Sequence, residues 1–584
     1  MCYAMGVKMQ YVDLLIKNAF VYNTFLQCFD KKDISIVGDK FFYIGEHCKR
    51  MKVDKVVDYN GKYIIPGLVD IHMHIESSMT VPGEFSKAVL PHGVTTVVAD
   101  PHEIANVFGI KGIRHYLTGK TLLDIFYGIP SSVPALKESL ETSGSTITEK
   151  EVSELLKEPK MLCLGEVMNF KDLTSKSDTV IRQIIKECRR VRPYMPIEGH
   201  CPKIEGYELT QFLYAGVDAD HTQQTPKSIY EKITNGMFLE LQKKSLTAEN
   251  IEMVVKHHFY EYIALITDDV MADHLLEGHL NQNIKLAIDL GMPPEKAIYC
   301  STYTPSRRMH LTDRGCIAPG KIADFVVLED VKSFSIHAVY KNGKQYTEDT
   351  SEKIKFPKAF YHSIHCKKAE ESDFVLRTDR AGKEVVCNVI RIEEHSTFTK
   401  IVQRKLPVEA GIILWENNPV NLALLVCFER HGKNGNISYA LVEGAITKEG
   451  AIATTWSHDS HNLIVMGNKA EDMVLAQRKI VALQGGYAVY EKSNMLAAVK
   501  LEIGGIISDV KIEQLAEEIK KVRLAMKQLG YRHDNEIMSF STLTLPVSPD
   551  VKLTDFGLLD VKKQCFIPLV QSKERIEQNE EIDY

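Results

Sequence analysis

The feature that most constrains the fold is a repeated texture. Eight short apolar runs bounded by turn residues follow one another in the first half of the chain. They are Ile64 to Ile71, Thr95 to Ala99, Ile125 to Ile129, Met161 to Gly165, Met195 to Gly199, Val217 to Ala219, Met237 to Leu241 and Ile263 to Ile266. Polar, helix-prone segments such as Thr179 to Arg190 and Asn281 to Leu290 separate most of them. Buried parallel strands need helical crossovers, and eight strand–helix units in roughly 240 residues predict an α/β fold, a closed (β/α)8 barrel of TIM type. An open doubly wound sheet is the weaker alternative, because no G-x-G-x-x-G follows an early strand.

The chain has 584 residues, so the barrel needs company. Leu14 to Ile16, Ala19 to Tyr22, Ile34 to Val37 and Phe41 to Ile44 read as short strands. So do Ala323 to Leu328 and Ser335 to Tyr340. The expected organisation is a small composite β-domain from residues 1–63 plus 306–350, a barrel over 64–305, and a C-terminal α+β domain over 360–584. Ser351 to Lys358 is charged and reads as a linker, and Val510 to Leu529 carries apolar residues at helical spacing.

Composition excludes several classes. With 71 basic and 77 acidic residues the net charge is -6, which leaves no electrostatic footprint for nucleic acid and no basic tail for a membrane surface. No apolar run approaches the ~20 residues of a membrane span. The opening MCYAMGVKMQ lacks a basic flank and a long apolar core, so no export signal is expected, and Met5 and Met9 leave the start position open. The 12 cysteines form no C-x-x-C pair, which points to a reducing cytoplasm. A homodimer is the default expectation for assembly.

Functional groups of such barrels gather where strands end. The first run is followed by His72 and His74, the fourth by Glu166, the fifth by His200, the sixth by His221 and the eighth by Asp268 and Asp269. Residues two apart on a strand share a face, so His72 and His74 can chelate one ion. Imidazoles and carboxylates together suit a pair of divalent ions, and a pair of ions supplies a strong hydroxide nucleophile. Each residue alone has a plain structural reading; their joint arrival at strand ends favours a metal site.

These residues sit in recognisable strings. IPGLVDIHMHIESSM resembles the opening of the metal-dependent amidohydrolase superfamily. GVTTVVADPHEIANV (93–107), SSVPA (131–135), LGEVMNF (164–170), EGHCP (198–202), TDD (267–269) and GHLN (278–281) are similar to adenine deaminases of the bacterial type. RGCIAPGKIADFVVL (314–328), WSHDSHNLIVMG (456–467) and the runs QGGYAVYE and LTDFGLLDV share that resemblance. It covers nearly the whole chain, from about residue 11 to 570. No lysine stands at the end of the fourth strand to bridge metals as in dihydroorotase types, and no P-C-x-x-C marks the unrelated zinc deaminases.

The resemblance implies hydrolysis of adenine, a small purine base, to hypoxanthine and ammonia in purine salvage. It implies two divalent ions, Mn(II) or Fe(II) first and Zn(II) next, held by His72, His74, Glu166, His200, His221 and Asp268. Glu166 would bridge, and Asp268 would carry the proton to the leaving amine. Asp100 and His102 resemble the family's polar pair beside the metals.

Three places depart from the family pattern. Thr222 follows Asp220-His221 where a carboxylate is usual, Gln242-Lys243-Lys244-Ser245 replaces Arg-Glu-Gly-Ser, and Thr304-Pro305-Ser306 replaces Asn-Pro-Ala. The first two departures are expected at the catalytic mouth, and Lys243 inverts a charge. Another aminopurine, a cyclic amide, or a non-catalytic metal-binding role are therefore alternatives. His458, Asp459, His461 and Asn462 form a second polar cluster, read either as a partner of the barrel mouth, as oligomer packing or as a capped turn.

Overall fold

The structure is a computed structural model that describes residues 9–46, 50–416 and 420–571. The alternative starts Met1 and Met5 lie outside the described residues. At the centre is a barrel of eight strands: Leu68–Met73, Val94–Ala99, Asp124–Ile129, Met161–Val167, Ile197–Gly199, Ala219–Asp220, Phe238–Leu241 and Ile263–Leu265. The first five pair in parallel in sequence order, as do the last three. Two seams close the ring. Asp218 N–H donates to the Ile197 carbonyl at 3.1 Å, and Asp268 N–H donates to the His72 carbonyl at 3.1 Å.

The second strand, VTTVVA, is buried at every position, because helices cover one face and the barrel interior the other. The crossover helix Val180–Val191 shows the complementary pattern. It buries Ile181, Ile184, Ile185 and Cys188, the one-sided stripe of a helix packed on a sheet.

The first apolar run divides at Gly67. Tyr63–Pro66 leaves the barrel and pairs with Phe325–Asp330 in an eight-stranded sheet, and only Leu68–Met73 belongs to the barrel. A side chain at Gly67 would meet Thr95 Oγ1 at 2.2 Å, so the chain can turn there only without a Cβ. The same sheet holds Gln10–Asn23, Cys28–Val37, Lys40–Gly45, Met51–Asp58, Ser335–Lys341 and Lys344–Gln345. The two short runs expected at 14–16 and 19–22 are one strand, bulged between Ile16 and Ala19 with Asn18 left-handed. Ser351 to Lys358 is not free: Ile354 and Phe356 are buried, and Ser351 Oγ accepts from Leu122 N–H at 3.0 Å.

A mainly antiparallel nine-stranded sheet spanning Glu384 to Lys500 forms the C-terminal region, flanked by helices Ala470–Leu483 and Ile512–Gln528. Its core merges with the barrel's. Trp456, fully buried, donates its indole N–H to the Glu76 carbonyl at 3.2 Å.

One buried charge ties down the loops after the fifth and sixth barrel strands. Asp220 receives Lys232 Nζ at 2.8 Å, Cys201 N–H at 3.0 Å and Gln224 Nε2 at 2.5 Å. Burial works to raise its pKa, but Lys232 holds it well below the usual carboxylate range. Removing one partner of a buried pair strands the other charge, so Lys232→Met should destabilise the protein by about 3–5 kcal/mol. The expected result is a lower urea midpoint, partly recovered when Asp220→Asn is added; an unchanged midpoint would show that the pair is dispensable.

Candidate metal centre

The barrel strands end in a buried ring of imidazoles and carboxylates. His72 and His74 follow one another at the end of the first strand, with ring centroids 5.3 Å apart. Glu166 rises from the fourth strand, His200 follows the fifth, His221 the sixth and Asp268 the eighth. His72 stacks on His221 at 3.8 Å between centroids.

Glu166 sits in the middle, and its two oxygens face different partners. Oε1 lies 3.4 Å from His74 Nε2 and 3.6 Å from His102 Nδ1. Oε2 lies 3.0 Å from His200 Nδ1 and 3.3 Å from His221 Nε2. A carboxylate that serves two donor sets in this way has the arrangement needed to bridge two ions. Asp268 completes one side, with Oδ1 3.5 Å from His74 Nε2. Among the described residues four overlapping groups have atoms close enough to share an ion: His72, Glu166 and His221; His72, His74 and Asp268; His74, His102 and Glu166; and, farther from the strand ends, His102, Glu103 and Asp459.

The surroundings aim these groups. His74 Nδ1 is 3.0 Å from the Asp100 carbonyl; as donor there, it leaves Nε2 for the centre. His72 Nδ1 faces Glu240 Oε2 at 3.5 Å, and its Nε2 is buried without a hydrogen-bond partner. Glu166 is held along its backbone. Its N–H donates to Asp100 Oδ2 at 2.9 Å, and its carbonyl accepts from Ser131 Oγ at 2.7 Å and Ser132 Oγ at 3.1 Å. This explains the SSVPA string. Asp100 thus touches Glu166 through the backbone and lies 3.7 Å from His102 Nδ1.

Electrostatics suit a cation. Burial pushes the His72 pKa well below its ordinary value, with His221 adding to the effect, so this imidazole is neutral and able to ligate. At His74 burial acts downward, but Asp268 and Glu166 outweigh it and raise the pKa strongly. Burial acts upward on Glu166, yet His221, His200 and His102 hold it well below the carboxylate range. Glu166 therefore stays charged in its buried position and favours positive charge beside it. The donor set and the unpartnered His72 Nε2 fit a divalent pair.

The sequence alternatives resolve at particular atoms. Asp268, left-handed at φ 61°, turns toward His74, whereas Asp269 Oδ1 accepts from Ser77 Oγ at 2.5 Å. Thr222 does not face the centre as expected; its hydroxyl donates to the Asp220 carboxylate at 2.9 Å. Lys243 is exposed, so its charge does not enter the buried ring. Gln242 does reach it, donating to Asp268 Oδ2 at 2.6 Å and to the His221 carbonyl at 3.1 Å. Thr304 and Ser306 are buried in the helix Tyr303–Arg308, where their hydroxyls cap local carbonyls.

The C-terminal cluster meets the barrel mouth. His458 Nδ1 lies 2.9 Å from Glu103 Oε1, and His461 Nε2 lies 2.5 Å from Glu103 Oε2. Asn462 Nδ2 donates to the Thr142 carbonyl at 2.8 Å. Nothing in the local sequence marks Glu103 as a partner of these histidines, although it follows His102 directly. Glu240 does carry a signal, a lone charge inside the apolar run MFLEL.

Comparison with known proteins gives a consistent picture. The family model described as "Amidohydrolase family" matches residues 63–346, and "Adenine deaminase C-terminal domain" matches residues 396–565. The chain is 52% identical over 568 residues to an adenine deaminase of Clostridium perfringens, covering 96% of this chain and 99% of that protein. It is 51% identical over 564 residues to adenine deaminase 2 of Oenococcus oeni, with the same coverage. To an adenine deaminase of Lactobacillus delbrueckii subsp. bulgaricus it is 48% identical over 564 residues, again covering 96% and 99%.

A Cβ on Gly165 would lie 2.2 Å from Asp100 Oδ2. Gly165→Ala should therefore push Asp100 off the Glu166 backbone and lower metal affinity by about 10–100-fold. Metal content after dialysis against a weak chelator reads this directly; full retention at wild-type affinity would mean that Asp100 does not position Glu166.

Proposed function

The chain belongs to the adenine deaminase family, and from that membership we propose that it hydrolyses adenine at carbon 6, releasing hypoxanthine and ammonia. The observation that carries the reading is the split of the Glu166 carboxylate between two sets of imidazoles. In this reading His72, His74, His200, His221 and Asp268 would hold two divalent ions, with Glu166 serving both through its two oxygens. When bound, the ions make hydroxide available near neutral pH.

The chain's own residues supply the rest. Asp268 stands at the rim of the ring, its side chain 11% exposed, and Gln242 fixes one of its oxygens. That places a carboxylate able to accept a proton from the attacking water and return it to the departing amine, so ammonia leaves neutral. The ring nitrogen must gain a proton as carbon 6 is attacked. His102, next to Glu166, is the proposed donor. Asp100 acts by holding the Glu166 backbone and by orienting His74 through its carbonyl.

Gln242, a departure from the family pattern, is absorbed in holding Asp268, and the identity to adenine deaminases over nearly the whole chain supports adenine over another aminopurine or a cyclic amide. The intact donor set argues against a non-catalytic role. Oxygen and imidazole donors favour Mn(II) or Fe(II), with Zn(II) also accommodated. The proposed place is purine salvage in the cytoplasm; the ten described cysteines, all free, fit a reducing compartment. A homodimer is the proposed assembly, and Tyr194, Tyr207 and Tyr214 are among the exposed aromatic side chains available for contact.

Protein reloaded with Mn(II) should convert adenine to hypoxanthine, read by ammonia release and the ultraviolet change. Glu166→Gln should lose more than about 100-fold in turnover. Metal removal by chelation should abolish turnover, and Mn(II) should restore it. Metal binding without turnover on adenine would contradict the proposal.

A further inference from the structure

The segment Thr455 to Asn462 is buried throughout, although it belongs to the C-terminal region and carries six polar side chains in a row, Ser457 to Asn462. Most of its polar atoms bind the domains together. Glu103 stands between His458 and His461 as an ion-pair contact, its oxygens 2.9 and 2.5 Å from their ring nitrogens. These separations are shorter than the 3.3–3.6 Å between most donors around Glu166, so they describe a direct clamp rather than groups arranged about an ion.

Four side-chain atoms of the segment are buried without a hydrogen-bond partner: His461 Nδ1 and Nε2, the latter ion-paired with Glu103, and His458 Nε2 and Asp459 Oδ2. Asp459 uses Oδ1, which faces His458 Nδ1 at 3.3 Å and His102 Nε2 at 3.9 Å. Its other oxygen, Oδ2, is buried and has no hydrogen-bond partner. His458 uses Nδ1 in the clamp, and its Nε2 is likewise buried and unpartnered. A buried carboxylate oxygen without a partner costs several times more than a satisfied one contributes, so each such atom calls for an explanation. His102 connects them to the reacting end: its Nε2 faces Asp459 while its Nδ1 faces Glu166. At the metal centre His200 is the partly exposed member, its side chain 22% exposed.

We propose that Asp459 and His458 form a subsite for the ring edge of the purine base, supplied by the C-terminal region to the barrel. The inference rests on the proposed adenine reading. A planar base reacting at the centre extends away from it, and its far edge offers both an N–H donor and a ring-nitrogen acceptor. The free Asp459 Oδ2 accepts from the first, and Nε2–H of the His458 imidazolium, whose Nδ1 faces Glu103, donates to the second. A barrel without its C-terminal region would hold ions and lack half of its base recognition. A base already substituted at the imidazole nitrogen would lose the N–H that Asp459 accepts, so the subsite selects free bases over nucleosides.

The test uses the full chain loaded with Mn(II), as wild type, Asp459→Asn, Asp459→Ala and His458→Gln. Metal content, thermal midpoint, kcat and KM for adenine, and calorimetric affinity for hypoxanthine are measured for each. The expected result is two ions per chain throughout, with hypoxanthine affinity weakened at least about tenfold in the Asp459 variants and KM raised in parallel. Unchanged hypoxanthine affinity in a folded, metal-replete Asp459 variant would overturn the subsite, whatever happens to kcat or the thermal midpoint, and would leave the segment as a clamp only. Wild type that takes metal but neither turns over adenine nor binds hypoxanthine would overturn the adenine reading and the subsite with it.

Discussion

The structure turns on one buried carboxylate. Glu166 is 4% exposed and faces four imidazoles from four different strand ends or loops. A charge so placed is tolerable only when matched, and the match here requires every strand end to be in register with the others. That requirement explains otherwise scattered features: Gly165 without a side chain beside Asp100, the serines that hold the Glu166 carbonyl, and Asp220 pinned between Lys232 and the loops that carry His200 and His221. The barrel gives position, and a layer of hydrogen bonds behind the ring gives aim.

The second constraint crosses domains. Glu103, one residue beyond His102, is buried against two histidines more than 350 positions later in the chain. Burial works to raise its pKa, but His458 and His461 hold it well below the carboxylate range, so the clamp is ionic. The C-terminal region is therefore joined to the barrel by the loop that also carries Asp100 and His102, and its position cannot change without disturbing them.

Much of this was legible because burial and strand geometry leave marks in sequence. The eight apolar runs mark the eight barrel strands, since parallel strands covered on both faces are nearly all apolar. The polar groups at their ends stood out for the same reason. The first run was read too long, because apolarity does not say to which sheet a residue belongs, and Gly67 was the only sign of the break. Thr222 and Lys243 were expected at the mouth from their place after strands, yet loops can turn side chains either way: Thr222 turned back to Asp220 and Lys243 turned out. The role of Gln242 depends on a contact with Asp268, 26 positions away, and the clamp on Glu103 depends on contacts farther still. Local pattern carries no record of such pairings.

The most direct test of the account is an anomalous-difference map from crystals of the Mn(II)-loaded protein. The account predicts two peaks on either side of the Glu166 carboxylate, one among His72, His74 and Asp268 and the other beside His200 and His221. A single peak, or a peak among His102, Glu103 and Asp459 in place of these, would contradict it.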